Sequence, residues 1–130
     1  MFEKSLRVYY EDTDAGGIVY HANYLKFMER CRCDWLMHLG FNVAELANEQ
    51  NLVFVVKEVS MIYHHPAKLF NELRVTAEVL QVGKVRLELQ QAVYNGEKLL
   101  CTASLKLASL DSTTSKMKAM PIELRQAMIA

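Results

Sequence analysis

The sequence is poor in the residues that mark irregular or cross-linked chains. Two prolines and five glycines in 130 residues, beside a hydrophobic share of 52%, exclude collagen-like, low-complexity and disordered classes. An excess of charge of one sign is also missing. Fifteen Lys and Arg offset fifteen Asp and Glu, so no global basic field exists to hold nucleic acid, and no such partner is expected. No stretch comes near the ~18 consecutive apolar residues of a membrane helix. The opening MFEKSLRVYY carries charges where a secretory signal needs an apolar run. Cysteine is scarce and odd in number. Cys31, Cys33 and Cys101 make no disulfide framework in a chain long enough to build its own core, so a cytoplasmic location is expected. Cys31 and Cys33, two apart on a helical pattern, point to different faces, and no metal or other cofactor is expected.

What is present is an even composition with no repeat and no linker, of a length typical of one domain. Leu6 to Tyr10 reads as a first strand running into the loop EDTDAGG. From Tyr24 to Leu39 the apolar residues Tyr24, Phe27, Met28, Cys31, Trp35 and Leu39 recur at steps of three and four, which predicts a helix burying one face. Asn23 is placed to cap its start and Gly40 to stop it. Val43 to Gln50 predicts a shorter helix. The period then changes: VFVVKEVSMIYHHP is a β-branched run closed by proline, and Leu73, Val75, Ala77 and Val79 begin a strict alternation that continues to Leu107. Val82-Gly83-Lys84 and Asn95-Gly96-Glu97 punctuate it as hairpin turns. Asp111 to Pro121 is a polar surface loop, and Pro121 to Met128 a weak terminal helix. One long helix on a curled antiparallel sheet of about five strands is an α+β domain. A single helix leaves edges and part of a face uncovered, which calls for a homodimer.

The chemistry concentrates between the first strand and the helix. Glu11, Asp12 and Asp14 place three carboxylates in four residues. They make either a solvated acidic turn at the helix start or a catalytic carboxylate beside the unpaired N–H groups of a helix N-terminus, where an oxyanion can be held. Gly16 and Gly17 let the backbone approach a ligand. A calcium loop is not supported, because Leu25 or a neighbour falls where its bidentate Glu belongs. No G-x-S-x-G elbow and no phosphate-binding glycine loop occurs. His64-His65 reads as a surface pair, and Glu29 as a salt-bridged surface residue or a second catalytic carboxylate.

The run YYEDTDAGGIVYHANYLKFMERCRCDWL closely resembles the signature of hotdog-fold acyl-CoA thioesterases of the 4-hydroxybenzoyl-CoA type, in particular the bacterial Tol-Pal-associated, YbgC-like group. FVVKEVSMIYHHPA and SKMKAMP are similar to its later, less specific segments. The resemblance implies that residues 1–130 form a single hotdog domain, a long helix wrapped by an antiparallel sheet, with dimers joined sheet edge to sheet edge and pairing into tetramers. It implies hydrolysis of the thioester of a short aliphatic or small aromatic acyl-CoA to free acid and coenzyme A. By the same resemblance Asp14 is the catalytic carboxylate, as nucleophile or general base, and the His21 N–H is the oxyanion donor. Asp12 and Glu11 become supporting residues. Gly17, Val19, Tyr20 and Tyr24 line the substrate. Lys57 and Lys116, with Lys118, Lys68 and Arg86, are the cations that could meet the coenzyme phosphates, and Phe54, Val56 and Met61 bear on the acyl pocket. Acyl carrier protein is a further expected partner. The alternative is a non-catalytic module of the same fold that binds acyl-CoA or acyl carrier protein.

Overall fold

The computed structural model describes residues 1–130. Its elements run β1 (Phe2–Arg7), α1 (Asn23–His38), α2 (Val43–Gln50), β2 (Leu52–Tyr63), β3 (Glu72–Val82), β4 (Arg86–Asn95), β5 (Lys98–Asp111) and α3 (Ile122–Ile129), with a short 3-10 turn at Tyr10–Asp12. The strands form one antiparallel sheet in the order β1-β3-β4-β5-β2. The alternating segments became β3, β4 and β5, and they pair as consecutive neighbours through the two turns read from the sequence. At the second turn Gly96 takes φ +61°, which glycine adopts without steric cost. No helix is long and apolar enough to cross a membrane.

The sheet curls around α1, which packs mainly on β1, β3 and β4. Phe27, Met28 and Cys31 on its inner face are wholly buried against Val75, Leu89 and Leu105. A polar pin crosses this apolar layer. The buried Gln91 of β4 donates to the Met28 carbonyl of α1 at 3.1 Å and to the Thr76 carbonyl of β3 at 3.3 Å, and accepts from Arg32 at 2.9 Å. An amide so enclosed needs these partners, because an unpaired buried polar group costs about 1–3 kcal/mol. Lys4 of β1 also pairs with Asp34 of α1. The terminal helix docks firmly, with Leu124 and Met128 in the core.

Two expectations near the N-terminus are corrected. The first strand occupies Phe2–Arg7 rather than Leu6–Tyr10, because β1 finds its partner in β3 through the pairs Phe2–Ala77 to Arg7–Glu72, after which the chain turns in a 3-10 coil. Asn23 does not cap α1. Ala22 occupies the N-cap with helical φ/ψ, and the Asn23 side chain turns inward, donating from Nδ2 to Oδ1 of Asp12 at 2.7 Å. Both residues are buried. The second Asp12 oxygen accepts from the Tyr9 N–H at 3.0 Å, and the Asp12 carbonyl accepts from the Tyr20 N–H at 2.9 Å. Asp12 therefore clamps the whole connecting loop to the first turn of α1. The stop is as expected: Gly40 takes φ +95°, and the Gly40 and Phe41 N–H groups close back on Met37 and Leu36.

Removing one arm of this clamp leaves a buried carboxylate short of a donor. Asn23→Ala is expected to destabilise the fold by about 1–3 kcal/mol, whereas Asp14→Asn, on the exposed tip of the same loop, should stay within about 0.5 kcal/mol of the parent. Urea unfolding of the two variants checks the contrast, and equal midpoints would contradict it.

Candidate active site

The loop between β1 and α1 is a built structure. A bridge between Thr13 and Val19 closes a tight turn, with the Asp14 N–H donating to the Ile18 carbonyl at 2.9 Å and the Gly17 N–H to the Asp14 carbonyl at 3.1 Å. Gly17 holds φ +80°, a conformation costly for a residue with a Cβ. The Asp14 carboxylate is exposed, and its Oδ1 accepts from the Gly16 N–H at 2.8 Å. A Cβ at residue 16 would stand only 3.1 Å from that oxygen. The two glycines thus let the turn close with the carboxylate held by one oxygen. The other oxygen makes no bond within the chain.

The turn lies against the connection between β2 and β3. The Val19 N–H donates to the Ala67 carbonyl at 2.9 Å, and Ile18 bridges to Lys68. Between the two segments opens a cavity of about 300 Å³ whose walls include Val19, His21, Tyr24, Tyr63, His64 and His65. Tyr24 is buried beneath it, and its hydroxyl oxygen accepts from the Ala67 N–H at 3.1 Å. Burial pushes its pKa up, so it stays a neutral phenol. Tyr20 and His21 are exposed, with their rings 4.5 Å apart. No group of the chain accepts from the His21 N–H, which stands at the positive end of α1. The histidines form no metal cluster.

The structure therefore brings Asp14, Gly17, Val19, Tyr20, His21 and Tyr24 to one end of α1. It adds Tyr63, His64, His65 and Ala67, which sequence reasoning left outside the site. Their signal was the strand end MIYHHPA, but nothing local said that this strand end meets the helix start. The cations divide differently. Lys57 sits at the β2 bulge in a separate cleft with Arg86 and Lys106, six residues or about 20 Å of strand from Tyr63. The Lys118 ammonium is engaged by the Gln50 carbonyl and by Asp111. Lys116, in the turn after β5, lies at the far end of that strand from Cys101, the partner of Tyr63. Of the five cations expected from the sequence, the one paired with the loop by its backbone is Lys68.

A second, more apolar void of about 370 Å³ lies between α1, α2 and the sheet, walled by Trp35, Leu36, Phe54, Val56 and Leu89, with Glu29, Arg32 and Cys33 also on its lining. Burial, and then Glu29, push the Cys33 thiol up, so it is no ready nucleophile. The smaller cavity is the one that adjoins the carboxylate turn, through Ile18 and Val19, with Asp14 itself off its lining.

A thioesterase superfamily profile matches residues 16–102. An acyl-CoA thioesterase YbgC of Haemophilus influenzae is 42% identical over 126 residues, covering 97% of this chain and 93% of that one. An acyl-CoA thioester hydrolase YbgC of Escherichia coli O6:H1 is 38% identical over 93% of this chain and 90% of its own length. Among solved structures, a probable thioesterase from Bartonella henselae superposes with a TM-score of 0.88 at 34% identity, covering 92% of this chain and 98% of that one. A sheet wrapped around one helix, a carboxylate turn at that helix's start and these relatives agree: the chain belongs to the thioesterase superfamily, in the company of the YbgC acyl-CoA thioesterases.

Proposed function

We propose that this chain hydrolyses acyl-CoA thioesters, with Asp14 as the reacting carboxylate and the His21 N–H as donor to the oxyanion. The observation that carries the reading is the pairing of an exposed carboxylate, held by one oxygen on the Gly16 N–H, with an N–H at the α1 start that no other group of the chain uses. The thioester carbonyl oxygen docks on that N–H, and charge developing there is met by the helix dipole. The free Asp14 oxygen then serves the carbonyl carbon in one of two ways. As base it takes a proton from water, whose oxygen attacks the carbon. As nucleophile it attacks directly, giving an acyl-aspartyl anhydride that water opens. In both, the C–S bond breaks and coenzyme A leaves as thiolate. A non-catalytic binding module would have no use for a carboxylate so placed.

The acyl group enters the cavity beside His21 and Tyr63, whose size suits a short aliphatic or small aromatic group. Acyl carrier protein, which presents its cargo on the same type of thioester, is the alternative donor. Three free thiols, two of them buried, fit a reducing cytoplasm. The free edge of β2 supports assembly: this long strand pairs only with β5, and Val56 and Val59 on it are 45% and 41% exposed. A second copy pairing antiparallel along β2 covers that edge and sets the Val53–Val56 end of one chain beside the Tyr63 end of the other. Two such dimers make the tetramer.

Asp14→Asn is expected to lower kcat by ~10²- to 10⁴-fold on a panel of acyl-CoA and acyl carrier protein thioesters, with an unchanged circular dichroism spectrum. Full activity in that variant would remove Asp14 from the mechanism. Sedimentation equilibrium at micromolar concentration should show two or more 14.9 kDa chains per particle, and Val59→Lys should shift the particle toward one chain. A wild type sedimenting as a single active chain would contradict the β2 assembly.

A further inference from the structure

Tyr63, the last residue of β2, donates its hydroxyl to the His21 carbonyl at 2.9 Å. His21 stands one residue before the Ala22 N-cap, so its carbonyl lies outside the hydrogen-bond ladder of the helix. Here the first turn is tightened: the Leu25 N–H goes to the Ala22 carbonyl at 3.2 Å, and the Asn23 N–H to the Tyr20 carbonyl at 2.8 Å. The His21 carbonyl is left for Tyr63. Two consecutive peptide units then share one arrangement. Their carbonyls, of Tyr20 and His21, accept from Asn23 and Tyr63, while their N–H groups, of His21 and Ala22, donate to no group of the chain. A peptide whose carbonyl accepts a hydrogen bond is polarised, and its N–H becomes a stronger donor.

The position of the Tyr63 ring is set independently of its hydroxyl. It meets the His21 ring edge-on at 6.3 Å and the Tyr24 ring at 5.6 Å, both T-shaped. Burial pushes its pKa up, so the phenol keeps its proton and remains a donor at neutral pH.

We infer that Tyr63 is a positioning residue: its hydroxyl holds the His21–Ala22 peptide so that the Ala22 N–H joins that of His21 as a second donor to the oxyanion. This rests on the thioesterase reading. It gives a residue forty-two positions away in sequence, at the end of β2, a part in shaping the helix start. Tyr63 acts through the peptide and transfers no proton itself.

Tyr63→Phe keeps the ring and removes the bond. With butyryl-CoA and benzoyl-CoA as probes, kcat is expected to fall roughly 10- to 100-fold, at or below the ~10²- to 10³-fold that loss of a donor costs. KM should stay within about twofold and the shape of the pH profile should not change. In a ¹⁵N spectrum the Ala22 amide signal should move. Tyr94→Phe, which alters a tyrosine lying under Arg74 elsewhere on the sheet, should leave kcat as it was. An active wild type whose Tyr63→Phe variant keeps kcat within about twofold, raises only KM, or leaves the Ala22 signal in place overturns the inference alone. A wild type inert toward every thioester overturns the thioesterase reading, and this role with it.

Discussion

The site hangs on one buried carboxylate. Asp12 takes Asn23 on one oxygen, the Tyr9 N–H on the other and the Tyr20 N–H on its carbonyl, so it touches the loop where it leaves β1 and again where it enters α1. A polar group this enclosed is stable only when its lone pairs are met by donors. That requirement pins the two ends of the loop between Tyr9 and Asn23, whose tip is closed by its own hydrogen bonds and by Ala67. Asp14 stands at the tip of the loop so anchored, outside the clamp and open to solvent. The two aspartates are two residues apart and chemically identical, and their surroundings assign them opposite work. Asp12 spends its hydrogen-bonding capacity on structure; Asp14 keeps one oxygen free.

The same division runs through the aromatic residues around the cavity. Tyr24 gives its hydroxyl oxygen to the Ala67 N–H and so ties α1 to the β2–β3 connection. Tyr63 sends its hydroxyl to the His21 carbonyl from the opposite wall. Both phenols stay protonated, since burial disfavours their anions. The N-terminal turn of α1 is held from both sides, and the N–H groups of His21 and Ala22 donate to no group of the chain.

Two of the cavities lie at opposite ends of β2, whose outer edge is unpaired in this chain. The apolar void beneath α1 contains Phe54 and Val56, the residues expected to shape an acyl pocket, yet it opens toward the Val53–Val56 end of β2, while the carboxylate turn sits at the Tyr63 end. Helix α1 covers the β1, β3 and β4 side of the sheet, so the concave face of β2 keeps exposed valines. Antiparallel pairing of two β2 edges is the arrangement that would bring opposite ends of the strand together, which makes assembly and substrate choice one question for this fold.

The periodic signals were legible in the residues themselves. The three-four spacing from Tyr24 to Leu39, the alternation from Leu73 to Leu107 and the glycines at 40 and 96 became α1 (Asn23–His38), the β3–β4–β5 meander, a helix stop and a hairpin, because backbone geometry and one-sided burial act over a few neighbouring residues. The density of carboxylates and glycines in EDTDAGG drew attention to the loop but left a solvated acidic turn open, and it was the resemblance of the longer run to hotdog thioesterases that singled out Asp14. Tertiary contact decided the rest. It withdrew the helix cap from Asn23 and gave that side chain to Asp12, moved β1 toward the N-terminus through its register with β3, and set Tyr63 and Ala67 against the start of α1. It also sent Lys118 to Gln50 and Asp111, and left Lys57 about 20 Å of strand away from Tyr63. Short-range periodicity is written in neighbouring residues, whereas a side chain's partner forty positions away is set by how the sheet curls around its helix, and that curl is the sum of every pairing in the fold.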